Sequence, residues 1–215
     1  MNMKKMKVKL TMQEPMLGMS PASEDIYSQY IASRAPDAMT RDEEIEAFGA
    51  ADVEERGTTV FPKLADGTPF LYDYQIKGFF KDACGCLNRL TKKESEPGKK
   101  AKKKVAANES GKLTAFKKVI DGLIFVSPRM IPLNMPGELT ICQRPLRAQT
   151  AQGERIALAS SEEAPAGTSI EFEIMMLDPD HEAVVREWLD YGALRGLGQW
   201  RNSGKGRFTW EEVHE

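Results

Sequence analysis

A chain of 215 residues is long enough for one well-filled core, or one core carrying a sizeable insertion. Of these residues 41% are hydrophobic and 29% charged, no apolar run approaches a membrane span, and the start MNMKKMKVKLTM lacks a signal-peptide core, so a cytoplasmic protein without membrane contact is expected. Three cysteines argue against a disulfide framework, and the net charge of -2 hides two opposed patches: ten acidic residues against three arginines over 23–56, and ten lysines against three glutamates over 91–118.

Met6, Val8, Leu10 and Met12 alternate with Lys7, Lys9, Thr11 and Gln13, the period of a half-buried strand with a lysine-bearing polar face. Residues 15–67 show no sustained period; IYSQYIASRA and RDEEIEAF each suit a short helix, and the stretch reads as an acidic insertion packed on the main core. In DYQIKGFFKDACGCLNRL, residues 73–90, Ile76, Phe79, Phe80, Ala83, Leu87 and Leu90 form one apolar stripe at helical spacing. Gly78 and Gly85 are costly inside a helix, which predicts close packing against another backbone at both. Residues 92–112 are lysine-rich without aromatics and read as a mobile loop.

Strands are predicted over 118–126 and 138–146 around a proline-containing turn, and 153–167 reads as a hairpin arm and loop. TSIEFEIMML alternates Ile170, Phe172 and Ile174 against polar neighbours, the mark of a strand. Asp178-Pro179 supplies a cap and a first-turn proline for a helix with Val184, Val185, Trp188 and Leu189 on one face and Gly192 as its end. Residues 207–213 form a last strand with Phe208 and Trp210 on one side.

Without the insertions the order is strand, helix, strand, strand, helix, strand. That order predicts a single α+β domain over 1–215: a ferredoxin-like, RNA-recognition-motif-like antiparallel sheet with two helices. It carries an acidic insertion at about 15–67 and a lysine-rich flexible loop at about 91–113. Both helices on one face leave the other face open, as in nucleic-acid-binding folds of this shape.

The stretch GALRGLGQWRNSGKGRF, residues 192–208, holds five glycines and four basic residues and no acidic one. Gly196, Gly198 and Gly204 would let backbone approach a phosphate or sugar, Arg195, Arg201, Lys205 and Arg207 would add charge, and Trp200 a stacking surface. A plain connection needs only about 2–6 residues and no exposed indole. A nucleotide loop runs from a strand into a helix, whereas this one leaves a helix for the final strand, which favours a polymer lying across the fold.

Together with the preceding strand and helix, LRGLGQWRNSGKGRFTW resembles the C-terminal signature of the RAMP superfamily, the RNA-binding subunits of CRISPR effector complexes. GTPFLYDYQIKGFFKDA, residues 67–83, is similar to that family's opening of the first helix, with Pro69, Lys77, Gly78 and Ala83 fitting. Asp73 to Gln75 depart from it, standing where the family places small or hydroxyl residues, and the resemblance spans about half the chain. It implies a backbone-type subunit that contacts the sugar–phosphate of single-stranded guide RNA, with no cofactor, and assembles with other copies of itself and further ribonucleoprotein subunits. Lys77 would then approach the RNA backbone beside the loop arginines, and Lys7, Lys9 and Thr11 would line the same surface or form a solvated sheet face.

The lysine run at 92–104 is either a phosphate tether or a solvated loop, and the acidic insertion of one copy is a match in charge for the lysine loop of the next. No catalytic residue is assigned: His181 and His214 lack evident partners, and Asp25, Asp37, Asp42 and Asp52 lie in the insertion without an alignable position. Cys84 and Cys86 on a helix would point to different faces, so no metal site is expected with Cys142 or His181. A non-enzymatic RNA-binding protein is expected; the other readings are a structural or assembly protein using the fold for protein contacts, and a metal-independent ribonuclease.

Overall fold

β1 (Lys4–Met12) buries Met6, Val8, Leu10 and Met12 and turns Lys5, Lys7 and Lys9 to the other side, as a strand covered on one face must. It runs through the middle of a computed structural model that describes residues 3–22, 58–94, 103–106, 108–150 and 153–214. The chain continues through β2 (Met16–Leu17), β3 (Ser20–Pro21), β4 (Thr59–Val60), β5 (Phe70–Tyr72) and helix α1 (Asp73–Leu87). β6 (Thr91–Glu94) and β7 (Lys103–Ala106) follow, then α2 (Glu109–Lys112), α3 (Phe116–Leu123), β8 (Ile124–Ser127) and β9 (Met130–Pro132). The last part holds β10 (Thr140–Thr150), β11 (Gly153–Ala164), β12 (Ser169–Met176), α4 (Glu182–Arg195) and β13 (Phe208–Glu212).

The main sheet has the order β13-β1-β12-β8 with every pairing antiparallel. With α1 between β1 and β8, and α4 between β12 and β13, this is the ferredoxin-like α+β arrangement expected from the element order. One sheet face supplies Met6, Val8 and Leu10 of β1, Ile170, Phe172 and Ile174 of β12, and Phe208 of β13 to a single apolar cluster. The helices close it with Ile76, Phe79 and Phe80 of α1 and Val184, Val185, Trp188 and Leu189 of α4. Aromatic rings bridge the layers: Phe80 meets Trp188 at 5.4 Å and Phe79 meets Phe208 at 5.3 Å between ring centres.

Several local expectations are corrected. The predicted strand at 118–126 is α3 followed by β8, because Phe116, Ile120 and Leu123 recur at helical spacing and only Ile124 and Val126 alternate. Gly192 lies inside α4 rather than ending it, since a Cβ there would come within 2.0 Å of the Phe208 ring; the helix ends at Gly196. Among the described residues, no backbone packs against Gly78: a Cβ would meet nothing within 4 Å, and at Gly85 it would meet only the Phe116 ring at 3.7 Å.

The lysine-rich segment is not structureless at its ends. β6 and β7 pair antiparallel from Thr91↔Ala106 to Glu94↔Lys103, and α2 then docks on α4. There the Glu187 carboxylate accepts the backbone N–H of Glu109 and Ser110, and Ser110 Oγ accepts Trp188 Nε1–H at 3.0 Å. At the edges of the expected acidic insertion, Met16, Leu17 and Phe61 are buried. Its acidic part, with the candidate aspartates, falls at 23–57 and lies outside the described residues.

β10 and β11 form one long hairpin, in register from Thr140↔Glu163 to Thr150↔Gly153. Its base is tied down by β2 and β4 and by Glu162, whose carboxylate accepts Phe61 N–H at 2.8 Å and Lys63 Nζ at 3.1 Å. No helix among the described residues is long and apolar enough to cross a membrane.

Candidate nucleic-acid interface

The chain between α4 and β13 is held by its own backbone. Leu197 N–H donates to Gly206 O at 2.8 Å, and Gly206 N–H to Pro15 O at 2.9 Å, while the Leu197 side chain enters the core. A Cβ on Gly206 (φ +71) would lie 1.8 Å from Leu197 O, and one on Gly196 (φ +78) 2.5 Å from Lys205 O. At these two positions, and at Gly198 (φ +89) where a Cβ would lie 2.8 Å from Leu17 O, the space that glycine leaves is filled by the protein itself rather than left for a phosphate. Gly204 is more open, with the Arg207 guanidinium 3.8 Å from where a Cβ would stand.

Folded in this way, the loop raises one wall of a cleft of about 410 Å³ lined by Arg144, Arg195, Gln199, Trp200, Arg201 and Asn202, with Gly198 at its edge. Asp82, on α1, organises the cationic side: its carboxylate accepts Arg195 Nε–H and Arg201 Nη1–H, both at 2.9 Å. Arg195 also donates to Asn202 Oδ1 at 2.9 Å. Burial works to raise the Asp82 carboxyl, but the bond from Arg195 and the charge of Arg201 outweigh it and hold it below the ordinary carboxylate range. One carboxylate thus fixes two guanidinium groups and leaves the trio net positive.

The opposite wall comes from the hairpin. Arg144 of β10 is buried, donates to Gln199 Oε1 at 3.0 Å, and stands 5.5 Å from the centre of the Trp200 ring. Trp200 itself is 43% exposed and has φ 52, a left-handed backbone that a bulky residue rarely adopts. An indole edge is therefore presented to solvent among three arginines, a shape suited to a planar group carrying negative charge.

Of the residues singled out from the sequence, Arg195, Gly198, Trp200 and Arg201 meet at this cleft. Lys205 points to the hairpin base, where Nζ reaches Glu163 Oε2 at 2.7 Å, and Arg207 is exposed beside Gly204. Lys77 is turned toward α3, donating to Asp121 O at 3.1 Å above the Phe125 ring, and burial pulls its ammonium below the usual lysine range. Lys7 and Lys9 lie on the sheet face away from the helices, opposite Glu173 and Glu171 in β12, and Lys9 also reaches Glu211 at 3.6 Å. That face is a lysine stripe flanked by glutamates on both sides.

Arg144, Asp82, Gln199 and Asn202 escape sequence reading. Arg144 sits in an ordinary strand and Asp82 on an ordinary helix, and nothing local marks either; Gln199 and Asn202 lie within the glycine-rich stretch, where their charged neighbours carry the stronger signal. His181 is buried in the turn before α4 and His214 follows β13, both away from the cleft lining. Cys84, Cys86 and Cys142 are free thiols.

No family model matches the chain, and no curated protein matches it. Among solved structures, the chain is similar to a subunit in a cryo-EM structure of the Type III-B Cmr-beta complex bound to cognate target RNA, at 12% identity and TM-score 0.49. That match covers 99% of this chain, which spans only 59% of the other. It is also similar to a subunit of a Type IV-B CRISPR complex, at 14% identity and TM-score 0.43, covering 98% of this chain and 90% of that one. Neither likeness assigns a role to any residue here.

Proposed function

We propose that this protein binds single-stranded RNA in the cleft between the α4–β13 loop and the base of the hairpin, as a non-enzymatic subunit of a CRISPR-type ribonucleoprotein of the RAMP kind. Arg195 and Arg201 meet phosphates, Trp200 stacks on a base, and Arg144 braces the indole from behind. Arg207 extends the positive field at the rim, Lys205 joins it only by releasing Glu163, and Lys77, Lys7 and Lys9 are farther contacts that a long strand reaches. In this reading the RNA is a guide, and copies of the subunit repeat along it.

The observation that carries the proposal is Trp200: an exposed indole in a strained left-handed conformation, stacked by one arginine and facing two more that share a carboxylate. Strain of this sort persists where the surroundings enforce it, and it clusters at ligand-binding positions. A linker between a helix and a strand has no need of it. The two sequence signatures around Lys77-Gly78 and the glycine-rich loop point the same way.

Filter binding with labelled single-stranded RNA tests the reading. Affinity is expected to fall steeply as salt rises, and Arg201→Ala is expected to lower both the affinity and the salt slope by about one phosphate contact. Binding is expected to persist in a metal chelator. RNAs of increasing length are expected to recruit more copies per strand in sedimentation. Salt-independent or absent binding would transfer the cleft to a protein partner.

A further inference from the structure

On α1, Tyr74, Gly78 and Asp82 are four residues apart and so stand one above another on a single helix face. The outer two are engaged. Tyr74 stacks on Tyr72 with ring centres 5.1 Å apart and 14° between planes, and the Arg129 guanidinium lies over both rings at 5.2 and 5.4 Å. Asp82 holds Arg195 and Arg201. Between them is a gap: among the described residues, a Cβ on Gly78 would meet nothing within 4 Å.

The gap opens into a slot of about 150 Å³ walled by Met19, Tyr74, Gln75, Phe79, Leu197 and Arg201. Arg201 and Gly198 line this slot and the basic cleft alike, so the two are neighbours across one guanidinium. A glycine in a helix interior lowers stability relative to alanine, and no described residue packs closely enough on Gly78 to explain it. The walls are aromatic and aliphatic with two polar groups. Gln75 Oε1 is occupied by Tyr72 N–H at 2.9 Å, which leaves the carboxamide N–H groups as the donors it offers.

We infer that this slot receives one unpaired nucleobase of the strand whose phosphates lie on Arg195 and Arg201, on the side of Arg201 away from Trp200. The inference rests on the RNA-binding reading above. A nucleobase is the flat group with edge acceptors that fits between Tyr74, Phe79 and the Gln75 amide, and its own phosphate lies within reach of the shared arginine. Gly78 is the residue that keeps the slot open, and bases on either side of Arg201 splay apart.

The test uses the full chain and two labelled RNA oligomers of about twelve nucleotides, one mixed-sequence single strand and one abasic strand of the same length and charge. Gly78→Leu fills the gap with a good helix former. It is expected to lower affinity for the base-bearing strand about tenfold, the scale of one lost stacked base. Affinity for the abasic strand and the thermal midpoint are expected to stay at or above those of the unmodified protein. Gly78→Ala, with a single methyl, is expected to fall between. If Gly78→Leu binds both strands as the unmodified protein does, or loses both equally, the slot is not a base site. Arg201→Ala separates that failure from failure of the RNA reading: it weakens both strands if the cleft binds backbone, whereas an unmodified protein that binds neither strand overturns both proposals.

Discussion

The Arg144 guanidinium lies 5.5 Å from the centre of the Trp200 ring, so a strand of the long hairpin and the loop before β13 meet in one cation–π contact. The left-handed backbone of Trp200 costs a bulky residue roughly 1–2 kcal/mol. Trp200→Gly is therefore expected to leave stability unchanged or raise it by up to about 1 kcal/mol. The same variant is expected to weaken RNA binding by about 1–3 kcal/mol, one lost stacking surface. Urea unfolding and filter binding on one preparation check both halves. Lost stability with unchanged binding would make the indole a packing residue.

Asp82 couples the cleft to pH. Its carboxyl is held below the ordinary range, so the stability it contributes is fully present above the unfolded-state pKa and is lost as pH falls through the lower folded-state value. Asp82→Asn is expected to cost about 1–3 kcal/mol at neutral pH, through weakened charge-assisted bonds to Arg195 and Arg201. It is also expected to flatten the acid limb of the stability profile on the acid side of the usual carboxylate range. With one negative charge fewer, RNA affinity at low salt is expected to rise and its salt slope to steepen. Denaturation across acidic pH and salt titrations of binding measure these effects.

Gly192 and Gly204 separate packing from access. A Cβ on Gly192 would collide with the Phe208 ring at 2.0 Å, so Gly192→Ala is expected to destabilise by about 3 kcal/mol or more, because the core has no space to give. Gly204 (φ +91) has only the end of a flexible arginine nearby, and Gly204→Ala is expected to cost only about 1–2 kcal/mol, from its backbone conformation alone. Thermal melts of the two variants decide this; equal costs would mean the Phe208 ring moves aside.

Cys84 is buried beside Ser110 and Trp188, and burial pushes its thiol up to about 11. Thiolate is the reactive form, so at pH 8 iodoacetamide is expected to label Cys84 only after denaturant is added. Peptide mass spectrometry reads the sites directly. Rapid labelling of Cys84 in the native protein would show that α1 and α2 open readily.

Much of the frame is legible in local pattern. The period-two runs in β1 and β12 and the apolar stripes of α1 and α4 each state which face is buried, and their order leaves few ways to close one core. The Asp178-Pro179 pair announces the short 3-10 turn Pro179–His181 that leads into α4, because capping needs only neighbouring residues: Asp178 accepts from Asp180 N–H at 3.1 Å, while α4 itself begins at Glu182 without a side-chain cap. Short apolar runs are weaker guides. KVIDGLIFV suits a strand or a helix, and it became α3 plus β8 when Ile120, Ile124 and Val126 all found the core. Gly192 reads as a helix end until Phe208, distant in sequence, takes the place of its side chain.

What the sequence determined by itself is the α+β element order, the faces of its main elements, and a loop whose glycines, arginines and tryptophan had to be close together because they are adjacent in the chain. The tertiary structure alone decided which of those charges work together. Lys205 is drawn to Glu163 and Lys77 to Asp121, while Arg144 and Asp82, from a strand and a helix with no local mark, complete the cleft. The reason is physical: periodicity records how a segment meets water, whereas a charge is kept or cancelled by whatever the fold brings within a few ångströms of it.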